Sequence, residues 1–289
     1  MIVIFNPAAG RRRASALWRV LDVLSANGMR LELAETQRAG HATELAREAA
    51  ASGAKLVVAA GGDGTIAEVA NGLAGSEVRL GIIPLGTANV LAHELSLPFA
   101  PHAVAAALAF GRTCTLWPGI ASGPGMERLF VQMVGVGLDA QVVHELSLPL
   151  KRAIGKGAYV AQTVREMVRY TYPSLQVRLD GAEMEAASVI VTKGRLYAGR
   201  FTLAPEADAT QPDFTVVLFE HNGPFAAMMY AAALPLDLLS RTPGLSFHPA
   251  SRVEILGNGS VPAQADGDPA GATPISVRNA ASPIRVVVS

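Results

Sequence analysis

An α/β domain built on a parallel sheet, followed by an antiparallel β-sandwich, is the architecture this sequence predicts. Over the first third of the chain, short β-type runs alternate with helix-spaced segments. That order covers both faces of a parallel sheet with helices. After about Trp117 the helical spacing gives way to short β-like segments separated by turn residues, as in a sandwich. The length, 289 residues of which 50% are hydrophobic, suits two domains with buried cores.

The elements follow in order. Residues 2–5 read Ile-Val-Ile-Phe, a β-type run stopped by Asn6-Pro7. Leu17, Val20, Leu21 and Leu24 give residues 14–25 helical spacing. Residues 30–34 alternate as a strand, and residues 41–51 return to helical spacing. Residues 56–60, Leu-Val-Val-Ala-Ala, are apolar throughout, as a strand buried on both faces must be. A helix is predicted over 66–73, a strand over 80–83 and a helix over 88–95. In the second half, strands are expected over 129–136, 175–179, 187–192, 214–219, 252–256, 275–277 and 284–288. Helices are expected over 158–170 and 225–239. The boundary falls near 114–123, so the domains are read as 1–118 and 119–289, with the last strand a candidate to return to the first domain.

Composition excludes several function classes. Lys+Arg and Asp+Glu balance at 24 each, which argues against nucleic acid as a partner. One cysteine, Cys114, allows no internal disulfide and fits a reducing, cytoplasmic setting. The opening apolar run is too short for a signal peptide. Residues 95–111 and 222–236 lack Asp, Glu, Lys and Arg, yet fall short of the roughly 20 apolar residues of a spanning helix. They read as buried or interfacial helices.

Gly61-Gly62-Asp63-Gly64-Thr65 carries the strongest chemical signal. It joins the apolar strand 56–60 to a helix start. Glycines let backbone N–H groups approach a phosphate, and the helix N-terminus adds partial positive charge. Asp63 could hold the magnesium that accompanies a nucleotide. Thr65 could cap the helix or bond a phosphate oxygen. Pro84-Leu85-Gly86-Thr87-Ala88-Asn89 repeats the design one strand later, with Thr87 as an N-cap candidate facing the same crevice. Asn6 to Gly10 suits a tight turn, and Arg11 to Arg13 could meet phosphates or anionic headgroups. Asp266-Gly267-Asp268 reads first as a hairpin turn, although its carboxylates could supply a general base. Gly135-Val136-Gly137-Leu138-Asp139-Ala140 formally matches a dinucleotide fingerprint but lies outside the βαβα region.

Together these segments resemble the diacylglycerol kinase-like lipid kinases. The matching points are Asn6-Pro7 with Gly10, Thr36 before Gly40-His41-Ala42, Gly61–Thr65 with Glu68-Val69 and Asn71-Gly72-Leu73, and residues 84–89. In the second half they are residues 135–140, Ala204-Pro205 and residues 264–268. The glycine turn alone is shared with NAD kinases and phosphofructokinases, and the second-half motifs favour the lipid kinases. The resemblance implies a nucleotide domain, a β-sandwich, a site in the cleft between them, and ATP with Mg2+ as cofactors. It assigns Asn6, Thr36, Gly61, Gly62, Asp63, Gly64, Thr65, Glu68, Gly86 and Thr87 to the nucleotide, Asp63 to the metal, and Asp63 and Asp268 to catalysis, Asp268 as the base that takes the lipid hydroxyl proton. It implies a lipid acceptor such as diacylglycerol or a sphingoid base at the inner membrane face, and leaves a homodimer open. Three positions and one stretch depart from the family pattern. Asp268 stands where Glu is usual, and Val90 and Ala67 stand where an acidic residue and Asn are common. Residues 210–215 lack the acidic run that binds an accessory magnesium, so that site is expected to be weakened or absent. A soluble kinase of the NAD kinase type, and a lipid- or nucleotide-binding protein with weakened catalysis, are the alternatives.

Overall fold

The computed structural model describes residues 1–7, 14–145, 156–257 and 261–289. The first domain runs β1 (Ile2–Phe5), α1 (Ala14–Ala26), β2 (Glu32–Glu35), α2 (His41–Ala51), β3 (Leu56–Gly61), α3 (Asp63–Leu73), β4 (Arg79–Pro84), α4 (Val90–Glu94), α5 (Pro101–Phe110) and β5 (Arg112–Leu116). The sheet order is β2-β1-β3-β4, then the chain's last strand, Ile284–Val288, then β5. The last strand is parallel to β4 and antiparallel to β5. Every residue of β3 is buried. Val57 packs with Ile4, Ile66, Leu73 and Leu80 on one face, and Val58 with Leu17, Leu24, Ile83 and Leu108 on the other. This two-sided burial is the physical reason for the continuous apolar run.

The second domain holds β6 (Gly119–Gly123), β7 (Met126–Phe130), β8 (Met133–Val136), α6 (Leu138–Glu145), α7 (Lys156–Arg169), β9 (Leu175–Leu179), β10 (Ala182–Ala186) and β11 (Ser188–Thr192). Next come a small hairpin of β12 (Leu196–Tyr197) and β13 (Phe201–Thr202), then β14 (Phe214–Phe219) and α8 (Pro224–Ala233). The chain closes with β15 (Leu245–Ala250), β16 (Arg252–Ile255), β17 (Pro262–Ala265), β18 (Asp268–Ala272), β19 (Ile275–Asn279) and β20, the Ile284–Val288 strand already placed. Two six-stranded sheets form, β10-β9-β16-β19-β6-β7 and β15-β14-β11-β8-β17-β18. Val189, Val191, Val216 and Leu218 face the sandwich core with Val177, Val253 and Val277. Their alternating neighbours Ile190 and Val217 face outward, where Leu203, Tyr230 and Leu239 cover them.

Three expected elements are corrected. The strand over 129–136 is two strands in different sheets, β7 and β8. Between them the Asp266 carboxylate accepts the amides of Val131, Gln132 and Met133 at 2.8, 2.9 and 3.0 Å. The helix over 225–239 ends at Ala233 and continues as two 3₁₀ turns. Pro235 supplies no N–H there and Asp237 has φ 54°. The helix expected from 88 begins at Val90, because Asn89 is left-handed at φ 47°. Among the described residues no helix is long and apolar enough to cross a membrane.

Candidate active site

The site begins at the carboxyl ends of the parallel strands, where open α/β sheets bind ligands. Gly62 is the N-cap of α3 in extended conformation, and α3 starts at Asp63. A Cβ at Gly61 would lie 2.5 Å from Thr65 Oγ1. A Cβ at Gly86 would lie 2.6 Å from Gly62 Cα, and one at Gly62 would lie 3.2 Å from Gly86 Cα. The two glycine turns therefore touch backbone to backbone. Asn89 locks the second turn: its Oδ1 accepts from Gly86 N–H at 2.8 Å and its Nδ2 donates to Gly86 O at 2.8 Å.

Thr65 is buried inside the first turn of α3 and is not its cap; its hydroxyl accepts from Asn6 Nδ2 at 3.2 Å. Asn6 leaves β1, and Thr36, also buried, leaves β2, its N–H bonded to Phe5 O at 2.9 Å. Thr87 is exposed, and the N-cap of α4 is Asn89, so Thr87 is not the cap expected of it. Glu68 faces α2: its oxygens accept from the Gly40 and Ala42 amides at 3.0 and 3.1 Å, tying α2 to α3. Gly10 and Arg11 to Arg13 lie outside the described residues.

Asp63 points toward the second domain. Its Oδ1 accepts from Leu91 N–H at 3.3 Å and from Gln132 Nε2 at 3.1 Å. Burial pushes its carboxyl above the usual carboxylate range, opposed by these donors. Gln132 carried no signal in the sequence.

The turn joining β17 to β18 places Asp266 at φ 50° and Gly267 at φ 81°, the two positive angles of a tight hairpin turn. Its two carboxylates have separate fates. Asp266 turns inward to the three amides of residues 131–133, and burial pushes its carboxyl up to about 6 against those bonds. Asp268 stays 42% exposed and accepts from Arg128 Nη2 at 2.9 Å. A Cβ built on Gly64 would meet Asp268 Oδ2 at 3.8 Å. Asp268 therefore faces the glycine turn at Gly64, the residue after Asp63, although it is contributed by the other domain.

A cavity of about 530 Å³ opens between α6, α7, α8 and the outer face of the second sandwich sheet. Its walls include Val142, Met167, Ile190, Leu203, Tyr230 and Leu239. The polar exceptions include Asp139 and Tyr197, which are hydrogen-bonded to each other. Burial raises the Asp139 carboxyl, and the Tyr197 and Gln264 bonds oppose that rise. Elsewhere, Lys193 stands buried with Nζ donating to the carbonyls of Gln211, Pro212 and Asp213 at 2.9 Å each. This ammonium gathers the backbone of residues 211–213.

The donor set fits a metal carried in by a nucleotide. Among the described residues no cluster of three or more His, Cys, Asp or Glu side chains could hold a cation alone. Asp63 supplies one carboxylate beside bare glycine backbone, and magnesium commonly binds through one or two carboxylates plus substrate phosphates.

Comparison with known proteins agrees with this layout. The diacylglycerol kinase catalytic domain family matches residues 1–116. The YegS C-terminal NAD kinase beta sandwich-like domain family matches residues 132–288. A diacylglycerol kinase of Bacillus subtilis (strain 168) is 30% identical over 227 residues, covering 75% of this chain and 73% of its own. One from Staphylococcus carnosus (strain TM300) is 26% identical over 294 residues, covering 98% and 93%. The crystal structure of a diacylglycerol kinase from Bacillus anthracis str. Sterne shares the fold, with TM-score 0.73 at 20% identity over 100% of this chain and 96% of that one.

Proposed function

This chain belongs to the diacylglycerol kinase family of lipid kinases, and we propose that it transfers the γ-phosphoryl group of ATP to a hydroxyl of a lipid alcohol such as diacylglycerol or a sphingoid base. The observation that carries this reading is the approach of Asp268 to the Gly61–Thr65 turn from the other domain.

In this reading the amides at the start of α3 and the Gly86–Thr87 turn cradle the phosphates, with Asn6 holding Thr65 in register. Asp63 is the residue that would hold Mg2+, whose chemistry there is neutralisation of phosphate charge. Asp268, oriented by Arg128, takes the proton of the acceptor hydroxyl. The hydroxyl oxygen bonds to the γ-phosphorus as the bond to the β,γ-bridging oxygen breaks. ADP and the lipid phosphate are the products. The protein's part is positioning and charge, the main demands of phosphoryl transfer.

The apolar cavity suits the acceptor's hydrocarbon. Around it, Val164, Val168, Phe225, Met228, Leu236 and Leu238 are exposed, with Arg165 and Arg169 beside the two valines. This composition fits peripheral docking on an anionic lipid surface. The test is a kinase assay with labelled ATP on a lipid extract, with NAD as a soluble control acceptor. Label in the organic phase, lost in Asp63→Ala, supports the reading. Full activity of Asp63→Ala on every lipid acceptor would falsify it.

A further inference from the structure

One buried side chain connects the wall of the apolar cavity to the turn that carries Asp268. Gln264 is 2% exposed on β17. Its Oε1 accepts from Gly267 N–H at 2.8 Å, in the middle of the Asp266-Gly267-Asp268 turn. Its Nε2 donates to Asp139 Oδ2 at 2.7 Å. The other Asp139 oxygen accepts from Tyr197 O–H, and both Asp139 and Tyr197 line the cavity.

The direction of each bond is dictated by chemistry. Gly267 N–H can only donate, so the carboxamide must turn its oxygen toward it. The amide nitrogen is then left facing Asp139, whose Oδ2 accepts from it. A carboxylate at 139 and a carboxamide at 264 are thus complementary in one orientation. The strands leave room for this contact. Gly135 stands opposite Gln264 in the β8–β17 ladder. A Cβ there would come within 2.2 Å of Asp139 Oδ2 and 2.9 Å of Gln264 Nε2. The buried carboxamide therefore has both ends committed, one to the catalytic turn and one to the cavity wall.

We propose that Gln264 is a positioning residue, and that the line Tyr197–Asp139–Gln264–Gly267 sets the orientation of Asp268 from the wall of the lipid cavity. The inference rests on the kinase reading for its catalytic consequence. Its structural half does not, so the two are tested separately.

The first measurement is hydrogen exchange at the Gly267 amide. Gln264→Met, of similar volume, removes the acceptor, and exchange is expected to rise at least tenfold. Asp139→Leu touches neither Gly267 nor Asp268, yet should raise the same exchange severalfold. Tyr197→Phe, at a half-buried position where folding is not at risk, should raise it about threefold. Asp139→Asn keeps an oxygen that can accept from Gln264 and should preserve the protection. The second measurement is kinetic, on a short-chain diacylglycerol. Gln264→Met should lower kcat ten- to a hundredfold with the KM for ATP within twofold. Exchange is read relative to amides far from this turn and kcat per folded molecule, so that a loss of stability alone moves neither.

Wild-type exchange at Gly267 in Gln264→Met, or in both Asp139→Leu and Tyr197→Phe, overturns the relay. Unchanged kcat in Gln264→Met overturns its role in positioning Asp268. If the wild-type protein phosphorylates no lipid, the kinase reading falls, while the exchange data still decide the relay.

Discussion

Gly86→Ala tests whether the two glycine turns must touch. Neither Gly62 nor Gly86 has a positive φ, so alanine carries no intrinsic backbone penalty at either position. The cost is steric and can be read from distances. The new methyl at 86 would sit 2.6 Å from Gly62 Cα and 2.8 Å from Asn89 Oδ1. Carbon atoms rest about 3.5 Å or more apart, so the turns must separate by roughly 1 Å. Overpacking of this size costs about 1–3 kcal/mol. A 1 Å displacement of a phosphate cradle is expected to lower kcat/KM for ATP by about a hundredfold. Gly62→Ala meets its neighbour at 3.2 Å and should cost less on both counts. The assays are thermal unfolding and ATP-dependent kinase kinetics on the three proteins. Wild-type kinetics in Gly86→Ala, or greater damage from Gly62→Ala, would refute the argument that the two turns form one close-packed cradle.

Two further perturbations probe the second domain. Asp266→Asn turns one donor group toward the amides of residues 131–133 and should cost about 1–3 kcal/mol in denaturant unfolding. Its pH dependence has a defined sign. The carboxyl rises from 3.8 to about 6 on folding, so the folded state holds more protons between those values. The Asp266 contribution is complete below about pH 4 and is lost as pH rises through about 6; Asp266→Asn should lack this slope, and its presence in the variant would reject the assignment. Lys193→Met leaves the carbonyls of Gln211, Pro212 and Asp213 without their shared donor and should destabilise by about 3–5 kcal/mol. An unchanged unfolding midpoint would show that this loop does not depend on the ammonium.

The parts of the fold legible in the sequence are those where burial is symmetric or alternates cleanly. Residues 56–60 read as a strand because both faces are covered. Residues 175–179 and 214–219 read as strands with correct limits because one face meets the sandwich core. The strands that carried little signal lie at edges or in hairpin arms. β15 and β18 are the two edges of their sheet, and they contain Pro249 and Pro269. Proline is tolerated where a strand's N–H has no partner to serve, so an edge strand can hide behind a residue that normally argues against one. β10, Ala-Glu-Met-Glu-Ala, is another edge, with two exposed carboxylates and weak β propensity.

The site was legible where a turn must carry its own chemistry, as at Gly61–Thr65, and hidden where a side chain acts across the chain. Gln132 has no local pattern, and it becomes significant through Asp266, which lies 134 positions away. The hairpin corner read at 266–268 is present, and the same corner brings a carboxylate up to the glycine turn. The positive φ at Asp266 and Gly267 makes the tight turn. That turn sends one carboxylate inward and leaves the other at the start of β18 facing Gly64. The inward carboxylate does more than anchor the hairpin. By taking the amides of residues 131–133 it stops β7 and holds the backbone at Gln132, whose side chain reaches Asp63. Asp266 thus supports the Asp63 side of the cleft through Gln132 and the Asp268 side through its own turn. Damage at this one buried carboxylate should therefore reach both halves of the site, whereas loss of Arg128 should reach only Asp268.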